Sequence, residues 1–144
     1  MTQVDFYVVG SDSDNARLKV AVQICDKAMR ENQHVLINAT SETDAGQLDD
    51  LLWTFIQGSF IPHCVVRQPP NAPPREPVVI ALHGQPVGDR WDLLINLADT
   101  VPEFFSQYQR VAELVDGNPA RREQSRERYR FYRDRGYPLN THQV

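Results

Sequence analysis

The sequence predicts an α/β fold whose parallel strands are joined by crossover helices. Two observations carry that prediction. Short apolar runs of strand-like composition alternate with segments whose apolar residues recur at helical spacing. They follow the order strand, helix, strand, helix, which suits a parallel sheet. The 144 residues are enough for one domain with a real core, and 41% hydrophobic with 24% charged residues is an ordinary globular balance.

The elements follow in order. Val4 to Val9 reads as a strand closed by the turn G-S-D-S-D-N. Asn15 to Glu31 reads as a helix, with Leu18, Ala21, Val22, Cys25, Ala28 and Met29 on one face. His34 to Asn38 is a second strand. Ser41 and Asp44 resemble a capping box opening a helix through Leu48, Leu51 and Leu52 to Trp53. Phe60 to Val66 mixes turn and strand. Arg67 to Pro77 holds five of the ten prolines and reads as an extended surface loop. Pro77 to Leu82 is a buried strand, Trp91 to Leu97 another, Val101 to Tyr108 a short helix, and Arg110 to Val115 the last strand.

A basic helix closes the chain. Asn118 suits its N-cap and Pro119 its first position; Gly136 suits the left-handed residue after its last turn, and Pro138 forbids continuation. Seven arginines lie between these marks against Glu123, Glu127 and Asp134, so the segment carries about +4. The whole chain is formally −4, which leaves about −8 to the rest. Arg122, Arg126, Tyr129 and Arg133 share one face at i, i+4, i+7 and i+11. Such a row can hold an acidic and an apolar group together. The plainer alternative is a solvated helix with a few ion pairs.

The chemistry-bearing residues argue against familiar enzyme classes. The loop Gly10 to Asn15 has one glycine and no lysine, and Asp12 and Asp14 there would repel phosphate; they read as cap and dipole-complementing residues. His34, His63, His83 and His142 have no metal-ligand spacing, and no G-x-S-x-G elbow is present. Cys25 and Cys64 lack C-x-x-C spacing and read as reduced core thiols of a cytosolic protein. No apolar run approaches the roughly 20 residues of a membrane span, and the first residues lack the basic stretch of a signal peptide. An enzyme remains an alternative, using His83 with the Asp89–Asp92 cluster.

Residues along the whole chain carry a resemblance. They are F-Y-V-V (Phe6 to Val9), H-V-L-I-N-A (His34 to Ala39), L-D-D-L-L-W (Leu48 to Trp53), S-F-I-P-H (Ser59 to His63), D-L-L-I-N-L (Asp92 to Leu97), R-E-R-Y-R-F-Y-R and G-Y-P-L-N-T. In this order they resemble the chi subunit of bacterial DNA polymerase III holoenzyme. The proline-rich loop at Pro69 to Pro77 is not a strong feature of that family.

The resemblance implies a single-domain, three-layer α/β/α fold over residues 1–144 with a mostly parallel central sheet. It implies a cytoplasmic, non-catalytic subunit of a DNA-directed DNA polymerase, without cofactor or metal. The implied partners are the psi subunit, which tethers chi to the clamp loader, and the acidic, phenylalanine-ended tail of single-stranded-DNA-binding protein. A repair helicase competes with psi, and contact with single-stranded DNA is indirect. By family position, Val115, Arg122, Arg126, Arg128 and Tyr129 are expected at the tail site, and Trp53 and Phe60 at the psi or helicase site. Arg128 is the outlying member, on a neighbouring face. The competing expectation is that Arg126 pairs with Glu123 or Glu127, that Tyr129 packs inward, and that Trp53 and Phe60 are core.

Overall fold

The structure is a computed structural model that describes residues 1–10, 13–55 and 60–144. Seven strands form one sheet: β1 (Gln3–Val8), β2 (Val35–Asn38), β3 (His63–Val66), β4 (Val78–Ala81), β5 (Leu93–Asn96), β6 (Arg110–Val115) and β7 (Leu139–Gln143). Their spatial order is β3-β4-β2-β5-β6-β1-β7, and every pairing is parallel. β2, β4 and β5 are buried along their whole length, which is why they read as unbroken apolar runs rather than alternating ones. The fold is α/β, as the element order predicted.

Helices α1 (Asp14–Arg30) and α2 (Glu42–Thr54) close over one face. Leu18, Ala21, Val22 and Cys25 of α1 and Ala45, Leu48 and Leu52 of α2 pack on Ile37, Ile80, Ile95 and Ala112. Helix α3 (Pro119–Asp134) covers the other face, with Tyr132 packed among Phe6, Leu94, Phe105 and Val111. Core thus lies on both sides of the sheet, in three layers.

The helix ends have local causes. Ser41 Oγ accepts the Asp44 N–H at 3.0 Å, the cap read from the sequence. Asn118 Oδ1 accepts the N–H groups of Ala120 and Arg121 at 3.0 and 3.2 Å. At the other end of α3, Gly136 sits at φ +78°, where a side chain would be strained. Its N–H donates to the Arg133 carbonyl, and the Tyr137 N–H reaches back to the Tyr132 carbonyl. This double closure turns the chain directly into β7.

Three expectations need correction. Val101 to Tyr108 contains only a single 3-10 turn, at Phe105–Gln107, because Pro102 and the buried rings of Phe104, Phe105 and Tyr108 fix it as a packed loop. β7 is a strand that the sequence does not predict; after Leu139 its residues are polar and exposed and show no apolar alternation. Cys64 is only partly buried, packed against the edge of the core, whereas Cys25 is fully buried. The proline-rich loop returns the chain from the end of β3 to the start of β4, a crossover made without a helix. Asp12 lies outside the described residues, and Ser13 takes the N-cap position of α1.

Candidate partner-binding surfaces

α3 runs beside the β1–β7 edge of the sheet and leaves a slot there. Phe6, Val8, Val115, Thr141, Ser125, Tyr129, Arg122 and Arg126 line it, around about 200 Å³. Its floor comes from β1, β6 and β7, and its wall from α3. Tyr129 is half-buried, packed edge-on against Phe6 at 5.2 Å, and still faces the slot. Of the five residues expected at a tail site, the structure brings Val115, Arg122, Arg126 and Tyr129 together. Phe6, Val8 and Thr141 were missed, since no sequence signal joins β1 and β7 to α3.

The two slot arginines differ in what holds them. Arg126 reaches Glu123 at 3.2 Å, with both side chains about two-thirds exposed (66% and 62%). Arg122 is exposed, and the described residues give its guanidinium no hydrogen bond or ion pair. Arg121, by contrast, is bound to Asp116 at 2.7 Å, and Asp116 also faces Arg17 at 3.9 Å. The base of α3 is thereby tied to the end of β6 while its slot face stays open.

Arg128 departs from expectation. It is only 6% exposed, and each of its guanidinium nitrogens is engaged. Nε donates to Glu113 at 2.9 Å, Nη1 to the Asp99 carbonyl at 2.9 Å, and Nη2 to Ser125 Oγ at 3.1 Å. Glu113, from β6, is fully buried and also accepts from Tyr132 Oη at 2.7 Å and from Asn96 Nδ2 at 3.0 Å. Burial holds the Glu113 carboxyl above its ordinary range, against the opposing pull of Arg128, Tyr132 and Asn96. Four donor contacts from these three residues satisfy both carboxyl oxygens. Helical geometry explains the miss: Arg128 lies about 100° from Tyr129 around α3, which turns it into the protein.

A second surface lies where α2 ends. Trp53 is 49% exposed and Phe60 60% exposed, and their rings meet at 4.7 Å. Both had core placement as an alternative; neither is core. His63 packs edge-on against Trp53 at 4.9 Å, with Nε2 2.7 Å from Asp49 of α2 and Nδ1 2.7 Å from the Ile61 carbonyl. These contacts join α2 to the segment carrying Phe60, so the two rings are held as a pair.

The residues of the enzyme alternative do not converge. His83 follows the C-terminal end of β4, whereas Asp92 precedes β5 and accepts the His34 N–H at 2.8 Å and Arg90 at 2.6 Å. In a parallel sheet these are opposite ends. Among the described residues, no group of three His, Cys, Asp or Glu is placed to hold a metal ion. No helix is long and apolar enough to cross a membrane.

Fold and surface define a class: a parallel α/β domain that presents a cation-rimmed slot and an exposed aromatic pair on separate elements. The profile of the DNA polymerase III chi subunit family, HolC, matches residues 1–140. The chain is 42% identical to DNA polymerase III subunit chi of Pseudomonas aeruginosa, over 100% of this chain and 98% of the relative. It is 31% identical to the Escherichia coli chi subunit (98% and 97% covered) and 30% identical to that of Haemophilus influenzae (96% and 95%). The chain belongs to the DNA polymerase III chi subunit family.

Proposed function

We propose that this chain is a cytoplasmic, non-catalytic adaptor of DNA replication, joining the clamp loader to single-stranded-DNA-binding protein. The slot on α3 takes that protein's acidic tail, with its terminal phenylalanine ring between Tyr129, Phe6 and Val115. Arg126 takes the terminal carboxylate and Arg122 the aspartates. Trp53 and Phe60 dock psi, and a repair helicase competes for the same rings. Arg128 drops out as a direct contact, since its guanidinium is spent inside. Contact with single-stranded DNA is indirect, through the coated template.

One observation carries the reading. The slot combines apolar floor and aromatic wall with two exposed guanidinium groups on its rim, one of them unpaired among the described residues. A ring buried there is worth about 2–3 kcal/mol, and a guanidinium grips a carboxylate with two parallel hydrogen bonds. Trp53 and Phe60 suit a partner equally well, because paired exposed aromatics form the kind of anchor that dominates interfaces.

The test is capture of single-stranded-DNA-binding protein on the immobilised chain, with and without the partner's C-terminal tail. The full-length partner is expected to be retained and the tail-less form lost. Equal retention of both forms contradicts the reading.

A further inference from the structure

We infer that Arg128 and Glu113 are positioning residues for the slot: a buried clamp that sets the rotation of α3 about its own axis. The inference rests on the proposed tail site and assigns to Arg128 a part different from direct contact.

The clamp has its fixed side in the sheet. Glu113 of β6 and Asn96 of β5 sit side by side in register and are bonded to each other. Asn96 is itself held by Asn38 of β2 at 3.1 Å, and it donates to the Thr100 carbonyl at 3.1 Å. The carboxylate therefore stands on three strands and cannot swing. α3 grips it with two side chains one turn apart. Arg128 takes Oε1 at 2.9 Å and Tyr132 takes Oε2 at 2.7 Å. A third contact, Arg128 to the Asp99 carbonyl, ties the helix to the loop after β5.

Two grips one turn apart fix rotation as well as position. Arg128 and Tyr132 lie about 40° apart around the helix, and Tyr129, Arg122 and Arg126 follow at about 100° to 160° from Arg128. Their place over the slot is set by the clamp. Turning the helix by ~20° would move side-chain tips by ~2 Å, enough to separate Arg126 from a carboxylate seated below Tyr129. Arg128 also passes the constraint directly to the slot: its Nη2 donates to Ser125 Oγ, which donates in turn to the Arg121 carbonyl at 2.9 Å, and Ser125 is a lining residue.

A contacting cation and a positioning one leave different traces. Removing a cation that touches an acidic peptide lowers both affinity and salt dependence. Removing one that only aims the helix lowers affinity and leaves the salt dependence alone.

The experiment titrates a synthetic acidic peptide ending in phenylalanine into wild type, Arg126→Ala, Arg128→Gln and Tyr132→Phe, at several salt concentrations. Tyr132→Phe removes one hydrogen bond and no packing volume, so it keeps the fold. Circular dichroism and psi capture report on the rest of the molecule. Arg128→Gln and Tyr132→Phe are expected to weaken the peptide about three- to tenfold, with the wild-type salt slope and unchanged psi capture. Wild-type affinity in folded Tyr132→Phe and Arg128→Gln overturns the inference, and so does a flattened salt slope in Arg128→Gln. If wild type ignores the peptide, or Arg126→Ala binds it as wild type does, the tail-site reading itself falls.

Discussion

Arg126 and Glu123 face each other one turn apart on α3, 3.2 Å from nitrogen to oxygen, in full view of solvent. An exposed pair of this kind stabilises a helix by only about 0.3–0.5 kcal/mol. It is a resting contact, which a peptide carboxylate held beside an apolar slot can displace. In the proposed complex Glu123 also puts a negative charge next to the path of the acidic tail. Glu123→Gln is therefore expected to tighten tail binding by roughly two- to fivefold at low salt, with less gain at high salt. Calorimetric titration checks it; weaker binding would mean that Glu123 helps to orient Arg126.

The aromatic pair yields a prediction of the opposite kind. Phe60 is exposed and meets the ring of Trp53, so truncating it opens no core cavity. Phe60→Ala is expected to abolish psi capture while leaving thermal stability within about 1 kcal/mol of wild type and tail affinity unchanged. An unfolded variant, or one that captures psi normally, contradicts the assignment.

Much of this architecture was legible because local causes fixed it. Asn118, Pro119 and Gly136 marked both ends of α3, and the cap bonds lie where those residues require them. The buried runs of β2, β4 and β5 were visible for the reason that makes them strands: both faces are covered. β7 was not visible, since an exposed edge strand carries no apolar pattern and exists here because Gly136 and Tyr137 deliver the chain alongside β1. The slot was half legible. Helical spacing placed Arg122, Arg126 and Tyr129 on one face, but the inward turn of Arg128 depends on Glu113, a partner fifteen residues away on a strand. Its floor of Phe6, Val8 and Thr141 follows from the strand order alone.

Cys25 is expected to make stability fall at alkaline pH. Burial pushes its thiol up to about 12 from an ordinary value near 9, with Asp26 adding to the shift. The folded state holds this proton more tightly than the unfolded chain, so the contribution is complete below pH 9 and is lost as pH rises towards 12. Its share of the loss between pH 9 and pH 10.5 is about 2 kcal/mol. Cys64, pushed up to about 11 chiefly by burial, acts in the same sense. Denaturant midpoints measured across that range should decline in wild type and decline less in Cys25→Ala. Parallel declines would remove Cys25 as a cause.

Direct binding to nucleic acid should be weak. Two arginines of α3 are spent on buried carboxylates, Arg121 on Asp116 and Arg128 on Glu113, and the exposed Glu127 and Asp134 offset the charge of Arg130 and Arg133. Tyr132 is fully buried, which leaves Tyr129 as the one tyrosine of the helix available to stack a base. A gel shift on bare single-stranded DNA at physiological salt is expected to show no complex at micromolar protein. A shifted band there would give the basic helix a second use.

Arg126 is the proposed anchor of a carboxylate-ended acidic tail. The direct measurement is calorimetric titration of the C-terminal tail peptide of single-stranded-DNA-binding protein into wild type and Arg126→Ala. Arg126→Ala is expected to lose about 2–4 kcal/mol of binding free energy, the range for removing one member of a desolvated charge pair, with psi capture unchanged. Equal affinities in the two proteins would contradict the central claim.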